Sequence, residues 1–254
     1  MTSALPTRYP IEIDGETAAV GTAAELAVAL DVLQGQHDGE VLRQLRPYLP
    51  EIIATPLGLL NTMRSLAPGD QLYLVEALAS SLADLIGDAR HLRDLLATLA
   101  DESVEGRLLA QLDSAGLRQL VASAVELGEV LQWIYGSNDR QVLELLGADY
   151  VRRLLATSYD LSLVLHAIDE STQTWLLDSL GWQRVAALVG DGRGLARLLR
   201  AMPASLGQQL LAQYSPQRLV ELIGNARDWE YLCRRLEPAE AAALYQLLGV
   251  QDHA

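Results

Sequence analysis

The sequence predicts an all-α protein: a right-handed α-solenoid of six repeats, each of 34 residues and three helices. Two observations support this fold class. Apolar residues recur at spacings of three and four, as on amphipathic helices, and the whole pattern returns every 34 residues. The six blocks begin at Leu45, near Leu78, and at Asp113, Gly147, Gly181 and Ser215, with one extra residue within 101–104.

One polar position marks the start of the second helix in every block. It is filled by Thr55, Asp88, Ser123, Thr157, Asp191 and Asn225, whose side-chain oxygens suit the free N–H groups of a helix start. In three blocks a glycine precedes it (Gly87, Gly190 and Gly224), where we expect the first helix to end. Where this glycine is missing, as in 116–134, the alternative is that the first and second helices fuse.

Further boundaries divide each block into three helices. One boundary falls in the segments 67–70, 100–103, 136–139, 169–171, 203–205 and 237–240, and another lies where the blocks meet. We therefore predict three helices of about 8 to 12 residues in each repeat.

A partial repeat precedes the six. Residues 25–45 match a second and a third helix, and the segment YPIEIDGETAAVG stands in place of the first. Its Ile11, Ile13 and Asp14-Gly15 turn predict a small β-hairpin that caps the array, with strand addition to a partner as the alternative. The predicted domains are an N-terminal arm and hairpin cap over 1–24 and one repeat domain over 25–254.

The three-helix layout resembles that of armadillo repeats, with shorter units. The 34-residue period is also that of tetratricopeptide repeats, but the Trp, Gly-Tyr and Phe signature of that family is absent. The run LEPAEAAALYQLLG is similar to helices of flagellar switch and magnesium-transporter regulatory domains, over a single helix. None of these resemblances assigns the chain to a family.

The amino-acid composition limits the partners, the cellular location and the kinds of site that we expect for this protein. The net charge of −14 argues against nucleic acid and anionic membranes as partners and favours proteins with a basic surface. No apolar run approaches the roughly 20 residues needed to cross a bilayer, and the N-terminus lacks a secretory pattern, so we expect a cytoplasmic protein. The single Cys233 and four scattered histidines predict no disulfide and no metal site.

The chain contains no lysine, since all 19 basic residues are arginine. One explanation is a GC-rich genome. The other is selection against lysine, as expected of a protein that works among enzymes that tag lysine amines. The two explanations stay open at this point.

We therefore expect a non-enzymatic scaffold, adaptor or assembly factor without a cofactor, because no catalytic or phosphate-binding motif occurs. The alternative is a secreted effector or a regulator in a protein-tagging or degradation pathway. The candidate protein-binding residues are a row of arginines and four aromatics outside the regular apolar columns: Arg90, Arg193, Arg227, Tyr135, Tyr159, Trp182 and Tyr231. Ion pairs within the array and ordinary packing are the competing interpretations of these residues.

The C-terminal end is a further candidate contact. Leu247, Leu248 and Val250 follow the last predicted helix turn without a polar helix beyond them. A homodimer through this end is one interpretation, and a frayed terminus is the other.

Overall fold

The structure is a computed structural model that describes residues 7–33, 35–99, 101–136, 138–224, 226–233 and 238–248. Of residues 226–228, 233, 239, 240, 243, 247 and 248 it describes the backbone alone. The described chain is mostly helical, and its strands form one two-stranded hairpin. The all-α prediction and the predicted hairpin are therefore confirmed.

The hairpin comes first in the chain and the helices follow it. The hairpin consists of β1 (Tyr9–Ile13) and β2 (Glu16–Val20). The next helices are α1 (Ala23–Leu33), α2 (Asp38–Leu45), α3 (Leu49–Ile53), α4 (Pro56–Arg64), α5 (Pro68–Ala77), α6 (Leu82–Ile86), α7 (Ala89–Leu96), α8 (Glu102–Leu120), α9 (Ala124–Leu131) and α10 (Asn138–Leu146). The remaining helices are α11 (Ala148–Leu154), α12 (Ser158–Ala167), α13 (Glu170–Leu180), α14 (Trp182–Ala187), α15 (Gly192–Ala201), α16 (Ala204–Leu211), α17 (Pro216–Ile223), α18 (Ala226–Cys233) and α19 (Pro238–Leu248).

The predicted caps begin the second helices. Each cap oxygen accepts a hydrogen bond from the backbone N–H three residues on, at 2.7 to 3.2 Å, which satisfies a donor that the helix itself leaves free. The residues that do so are Thr55, Asp88, Ser123, Thr157 and Asp191. The sixth predicted cap, Asn225, lies outside the described residues.

The first helices differ from the prediction. The helices α3 and α6 have five residues each and follow short 3₁₀ turns, so they are shorter than the expected 8 to 12. Gly87 and Gly224 end their helices at positive φ, but α14 ends at Ala187, before Gly190. The fused helix over 116–134 is also wrong, because Ser123 has extended backbone and caps a separate α9.

The boundary predicted at Asp113-Ser114 falls within α8, which consists of two helical stretches on either side of a kink. Within α8, Asp113 takes φ 55° and ψ −171°, which kinks the helix. Its Oδ1 accepts from the N–H groups of Ala115 and Gly116 at 2.7 and 3.0 Å. Asp113 thus works as the cap of the helical stretch that follows it, at the position that Gly147 and Gly181 fill in later repeats.

The chain divides into two compact units. The first comprises Met1–Ala122 and Trp133–Leu146, and the second comprises Ser123–Gln132 and Gly147–Ala254. Inside each unit, helices at the same repeat position pack on one another. In the first unit these are α1, α4 and α7, and likewise α2, α5, α8 and α10; in the second they are α9, α12, α15 and α18.

A column of buried polar residues, which the sequence did not reveal, lies near the start of the third helices. Its members are at most 8% exposed: Asp38, Gln71, Glu105, Asp139 and Gln173. The two glutamines serve the same purpose in different repeats, because Gln71 Nε2 donates to the Met63 carbonyl at 2.9 Å and Gln173 Nε2 to the Leu165 carbonyl at 2.7 Å. Each supplies a donor to a carbonyl near the end of a second helix.

Glu105 faces hydrogen-bond donors, whereas Gln71 and Gln173 face carbonyl acceptors. Its Oε1 accepts from the Tyr135 N–H and from Asn138 Nδ2, each at 2.9 Å, which joins neighbouring repeats of the first unit. Burial raises the pKa of the Glu105 carboxyl, although these two donors oppose the shift. Burial, together with the nearby Asp70 carboxylate, also raises the pKa of Asp38.

The hairpin packs on α2. Strand β1 pairs antiparallel with β2 from Tyr9↔Val20 to Ile13↔Glu16. Ile11 and Val20 are buried on its inner face. The Gln44 side chain accepts from the Glu12 N–H at 2.9 Å and donates to the Glu12 carbonyl at 2.8 Å, so α2 holds the outer edge of β1.

Candidate protein-binding surface

The predicted arginine row is exposed where its side chains are described. Arg90 and Arg193 each occupy the second position of a second helix, in α7 and α15, and both are exposed. Arg90 belongs to the first unit and Arg193 to the second. The side chain of Arg227 lies outside the described residues, as do those of Cys233 and of the leucines predicted for a C-terminal dimer.

The four aromatic candidates have different surroundings. Tyr135 is 55% exposed and lies in the first unit beside the buried Glu105. Trp182 is half-buried, and its indole N–H donates to Asp178 Oδ1 at 3.1 Å, which links α14 to α13. Tyr231 on α18 is 37% exposed.

Tyr159 is brought together with arginine in the second unit. It occupies the second position of α12 and is 50% exposed. The guanidinium carbon of Arg197, on α15, lies 5.3 Å from the centroid of its ring, within the range of a cation–π interaction. Tyr159 therefore presents an apolar ring that an arginine holds in place.

The local sequence explains why these groups point outward. In α15 the buried residues include Leu195, Leu198 and Leu199, and the arginines fall at i, i+4 and i+7 on the other face. Arg193 and Arg200 are exposed and Arg197 is partly so. Sequence inspection singled out Arg193 but missed Arg197 and Arg200, although their spacing from Arg193 could have revealed them.

Close packing fixes the relation of α12 to α15. A Cβ on Gly194 would lie 2.8 Å from the Ser158 hydroxyl oxygen, so the two helix starts approach closely because residue 194 has no side chain. Helix α9 packs on the other side of α12 and exposes Val125 at the position equivalent to Tyr159. We call Val125, Tyr159, Arg193, Arg197 and Arg200 the Tyr-Arg face.

The charge of the Tyr-Arg face is opposite to that of the chain. Helix α15 has three arginines and no acidic residue, whereas the net charge of the protein is −14. Guanidinium groups present planar sets of donors that match carboxylates. Tyrosine and arginine are also the residue types that contribute most to protein interfaces. The face is therefore chemically suited to a protein segment that carries carboxylate and apolar side chains.

Other classes of site are not found in the described part of the chain. There, no group of three His, Cys, Asp or Glu residues is arranged to hold a metal ion. Among the same residues, no helix has both the length and the apolarity that a membrane span requires. Comparison of the chain with protein-family models, with curated proteins and with solved structures found no match.

Proposed function

We propose that the protein is a non-enzymatic scaffold, adaptor or assembly factor that binds other proteins through a right-handed, armadillo-like α-solenoid. The solenoid part of this proposal is supported by the packing of equivalent helices on one another within each unit. It is supported as well by the caps that recur at one position of the 34-residue period. Arrays of this kind present extended surfaces to protein partners.

The Tyr-Arg face carries the binding proposal. Tyr159 is half-exposed, and the guanidinium of Arg197 lies against its ring, which restricts the movement of both side chains. A side chain that is ordered before binding loses less entropy on association than a mobile one. Tyr159 and Arg197 therefore form the anchor of the proposed interface.

The partner segment follows from the chemistry of the face. Carboxylates would pair with Arg193 and Arg200, and an apolar side chain would cover Tyr159 and Val125. The negative charge of the whole chain does not prevent this contact, because the Debye length is about 8 Å at physiological ionic strength. The remaining acidic surface favours partners whose flanking regions are basic.

The test compares three immobilised proteins in a pulldown: wild type, the double variant Tyr159→Ala/Arg197→Ala, and Trp133→Ala. Trp133 is a matched control because it is a large aromatic, 49% exposed, outside the Tyr-Arg face. A partner captured by wild type is then purified and titrated against each protein. We expect the double variant to bind about 30-fold more weakly, as for an anchor worth roughly 2 kcal/mol.

Two results would contradict the proposal. One is that wild type captures no protein above the level of an empty support. The other is that the double variant and Trp133→Ala bind the purified partner with the same affinity as wild type. The affinity of wild type should also fall as salt rises, since exposed Arg–carboxylate contacts are screened.

The absence of lysine supports a second candidate function, an effector or regulator in a protein-tagging or degradation pathway. Arginine keeps the positive charge but offers no amine for tagging. Replacing the exposed Arg90 by lysine tests this idea. If lysine is selected against, Arg90→Lys shortens the half-life of the protein in a cytosolic extract that contains tagging enzymes, and an Arg90→Gln control does not. Equal half-lives of the two variants would favour the compositional explanation.

A further inference from the structure

The outer edge of strand β2 offers backbone groups to a partner. The turn Asp14-Gly15 closes a two-residue hairpin with positive φ at both residues. In such a ladder the bonded pairs alternate with pairs whose N–H and C=O groups point outward. Ile13↔Glu16 is the bonded pair at the turn, so Thr17 and Ala19 point away from β1.

The outward backbone groups of β1 and β2 differ in how many hydrogen bonds they make within the protein. On β1, Pro10 has no N–H to offer and Gln44 occupies both backbone groups of Glu12. On β2, the Ala19 carbonyl accepts from Arg8 Nη2 at 3.1 Å. Within the described residues, no hydrogen bond reaches the Thr17 N–H, the Thr17 carbonyl or the Ala19 N–H. Among the described residues, both outward groups of Glu12 on β1 are thus occupied, whereas on β2 only the Ala19 carbonyl is.

A groove lies beside the open edge. It has a volume of ≈ 620 Å³ and runs between the hairpin and α1. Its apolar lining includes Ile13 and Ala18 from the hairpin and Ala29 and Val32 from α1, and Asp14 and Glu16 also line it. Val32 is 75% exposed and is therefore uncovered. We call this feature the hairpin groove.

We propose that β2 and the hairpin groove bind an extended peptide segment of a partner protein as a third, antiparallel strand. The edge would supply main-chain hydrogen bonds from both backbone groups of Thr17 and from the Ala19 N–H, since Arg8 already occupies the Ala19 carbonyl. Ala18 lies on the groove side of β2, so every second side chain of the added strand would point into the groove. In strand addition, main-chain hydrogen bonds typically provide the affinity, and pockets for alternate side chains provide the selectivity.

The acidic residues of the hairpin groove indicate the charge of the peptide segment that binds there. Asp14 and Glu16 contribute two exposed carboxylates, and His37, which also lines the groove, lies with its Nε2 3.4 Å from Asp14 Oδ2. Among the described residues that line the groove there is no arginine. A basic residue at the end of the segment would therefore be attracted, with Val-sized residues at alternate positions. A second copy of this chain fits less well, because pairing β2 with β2 would bring the acidic groups of both copies together.

The probe is a fluorescein-labelled peptide of about eight residues in which Val and Thr alternate between two terminal arginines. Its affinity is measured by fluorescence anisotropy with the full chain. One comparison peptide has the same composition with the valines adjacent, and another has aspartates at both ends. We expect saturable binding of the probe, with a Kd below about 100 μM, and binding weaker by about tenfold or more for each comparison peptide.

The Thr17→Pro variant tests the backbone contact. Proline removes the outward N–H without removing a bond to β1, and Pro10 already occupies such an outward position in the other strand. We expect it to weaken probe binding by about tenfold or more. Equal binding by wild type and Thr17→Pro, with an unchanged circular dichroism spectrum, would overturn the proposal, as would the absence of binding to wild type.

A second variant keeps the test independent of the hairpin's own stability. Val32→Asn places a neutral polar group in the groove on α1, and Val220→Asn makes the same change at a valine of α17 that is 62% exposed. We expect loss of probe binding for the first and none for the second. Amide exchange at Thr17 and Ala19 should slow when the probe binds wild type.

Two further outcomes would reassign the occupant. A concentration-dependent dimer that Thr17→Pro abolishes, seen by analytical ultracentrifugation, would identify a second copy of the chain. Stronger probe binding after deletion of residues 1–6 would identify the chain's own N-terminus. The variants of the Tyr-Arg face should leave probe binding unchanged, so the two proposed surfaces are tested separately.

Discussion

Replacing Gln173 tests how neighbouring repeats of the second unit are joined. The Gln173 side chain is 8% exposed, and its Nε2 lies 2.7 Å from the Leu165 carbonyl, 3.3 Å from that of Ala201 and 3.4 Å from that of Ile168. One amide group thus serves the C-terminal parts of both α12 and α15. Two of the three acceptors are at long distance, so most of the energy comes from the bond to Leu165.

The magnitude follows from these distances. The Gln173→Leu variant keeps a similar side-chain size but removes the donor. Leaving a buried carbonyl without a partner costs about 1 to 3 kcal/mol. The Gln173 Oε1 has no hydrogen-bond partner, so its removal offsets part of this cost. We expect the free energy of unfolding to fall by about 1 to 2 kcal/mol.

The Gln173→Glu variant makes the same test depend on pH. An ionised carboxylate would face carbonyl oxygens, which raises the pKa of residue 173 above that of a glutamate in the unfolded chain. A raised folded-state pKa means that stability is present below the unfolded pKa and is lost as pH rises through the folded one. We therefore expect Gln173→Glu to be close to wild type near pH 4 and less stable than Gln173→Leu at pH 7.

Urea unfolding followed by circular dichroism measures all three proteins. The matched control is Gln213→Leu, since Gln213 is exposed and bonds only within its own helical turn. Independent mutations add to within about 0.3 kcal/mol. If the free energies of unfolding of Gln173→Leu and Gln213→Leu differ by less than this, the Gln173 amide does not join the neighbouring helices. A Gln173→Glu curve parallel to wild type between pH 4 and 7 would refute the same reasoning.

Two further predictions concern the first unit. The Glu105→Gln variant keeps an oxygen that accepts from both donors, but its side chain does not titrate. Burial raises the pKa of the Glu105 carboxyl. The wild type therefore loses stability as pH rises through that raised pKa, and the variant does not. Urea unfolding from pH 4 to 7 should show equal stability at the acid end and a more stable variant at neutral pH, and parallel curves would contradict this. Gly58→Ala places a Cβ against the Ile53 carbonyl oxygen, whereas a Cβ at Gly69 meets nothing within 4 Å. Thermal unfolding should therefore show a loss of about 2 to 3 kcal/mol for Gly58→Ala and a gain of about 0.5 to 1 kcal/mol for Gly69→Ala, and similar shifts for the two would contradict the packing.

The helix starts could be predicted from the sequence because their cause is local. A cap needs one side-chain oxygen and the N–H three residues on, and both come from the same short segment. Thr157 and Asp160 even satisfy each other reciprocally. The outward position of Tyr159 follows from the same frame, because the residue two places after a cap is fixed once the helix start is fixed. Its contact with Arg197 does not follow, since that contact depends on how α12 packs on α15.

The kink in α8 shows how a boundary forms without glycine. Glycine tolerates positive φ without a steric cost, so Gly147 and Gly181 mark boundaries that sequence inspection finds. Asp113 occupies the same position with a side chain, and its carboxylate accepts hydrogen bonds from the Ala115 and Gly116 N–H groups, which offsets the unfavourable backbone. The boundary that the sequence predicts at Asp113-Ser114 is therefore present as a kink between two helical stretches.

The column of buried polar residues was missed because its members follow no single residue type. Gln71 and Gln173 face carbonyl oxygens and must donate, whereas Glu105 faces two N–H donors and must accept. A satisfied buried group requires the complement of whatever lies opposite, and what lies opposite is set by the neighbouring helix. These three residues therefore share burial and a position in the 34-residue sequence pattern, while the chemistry of their side chains differs. At neutral pH, Gln173→Glu should consequently lower the free energy of unfolding and Glu105→Gln should raise it. The two residues nevertheless occupy the same place in the 34-residue period.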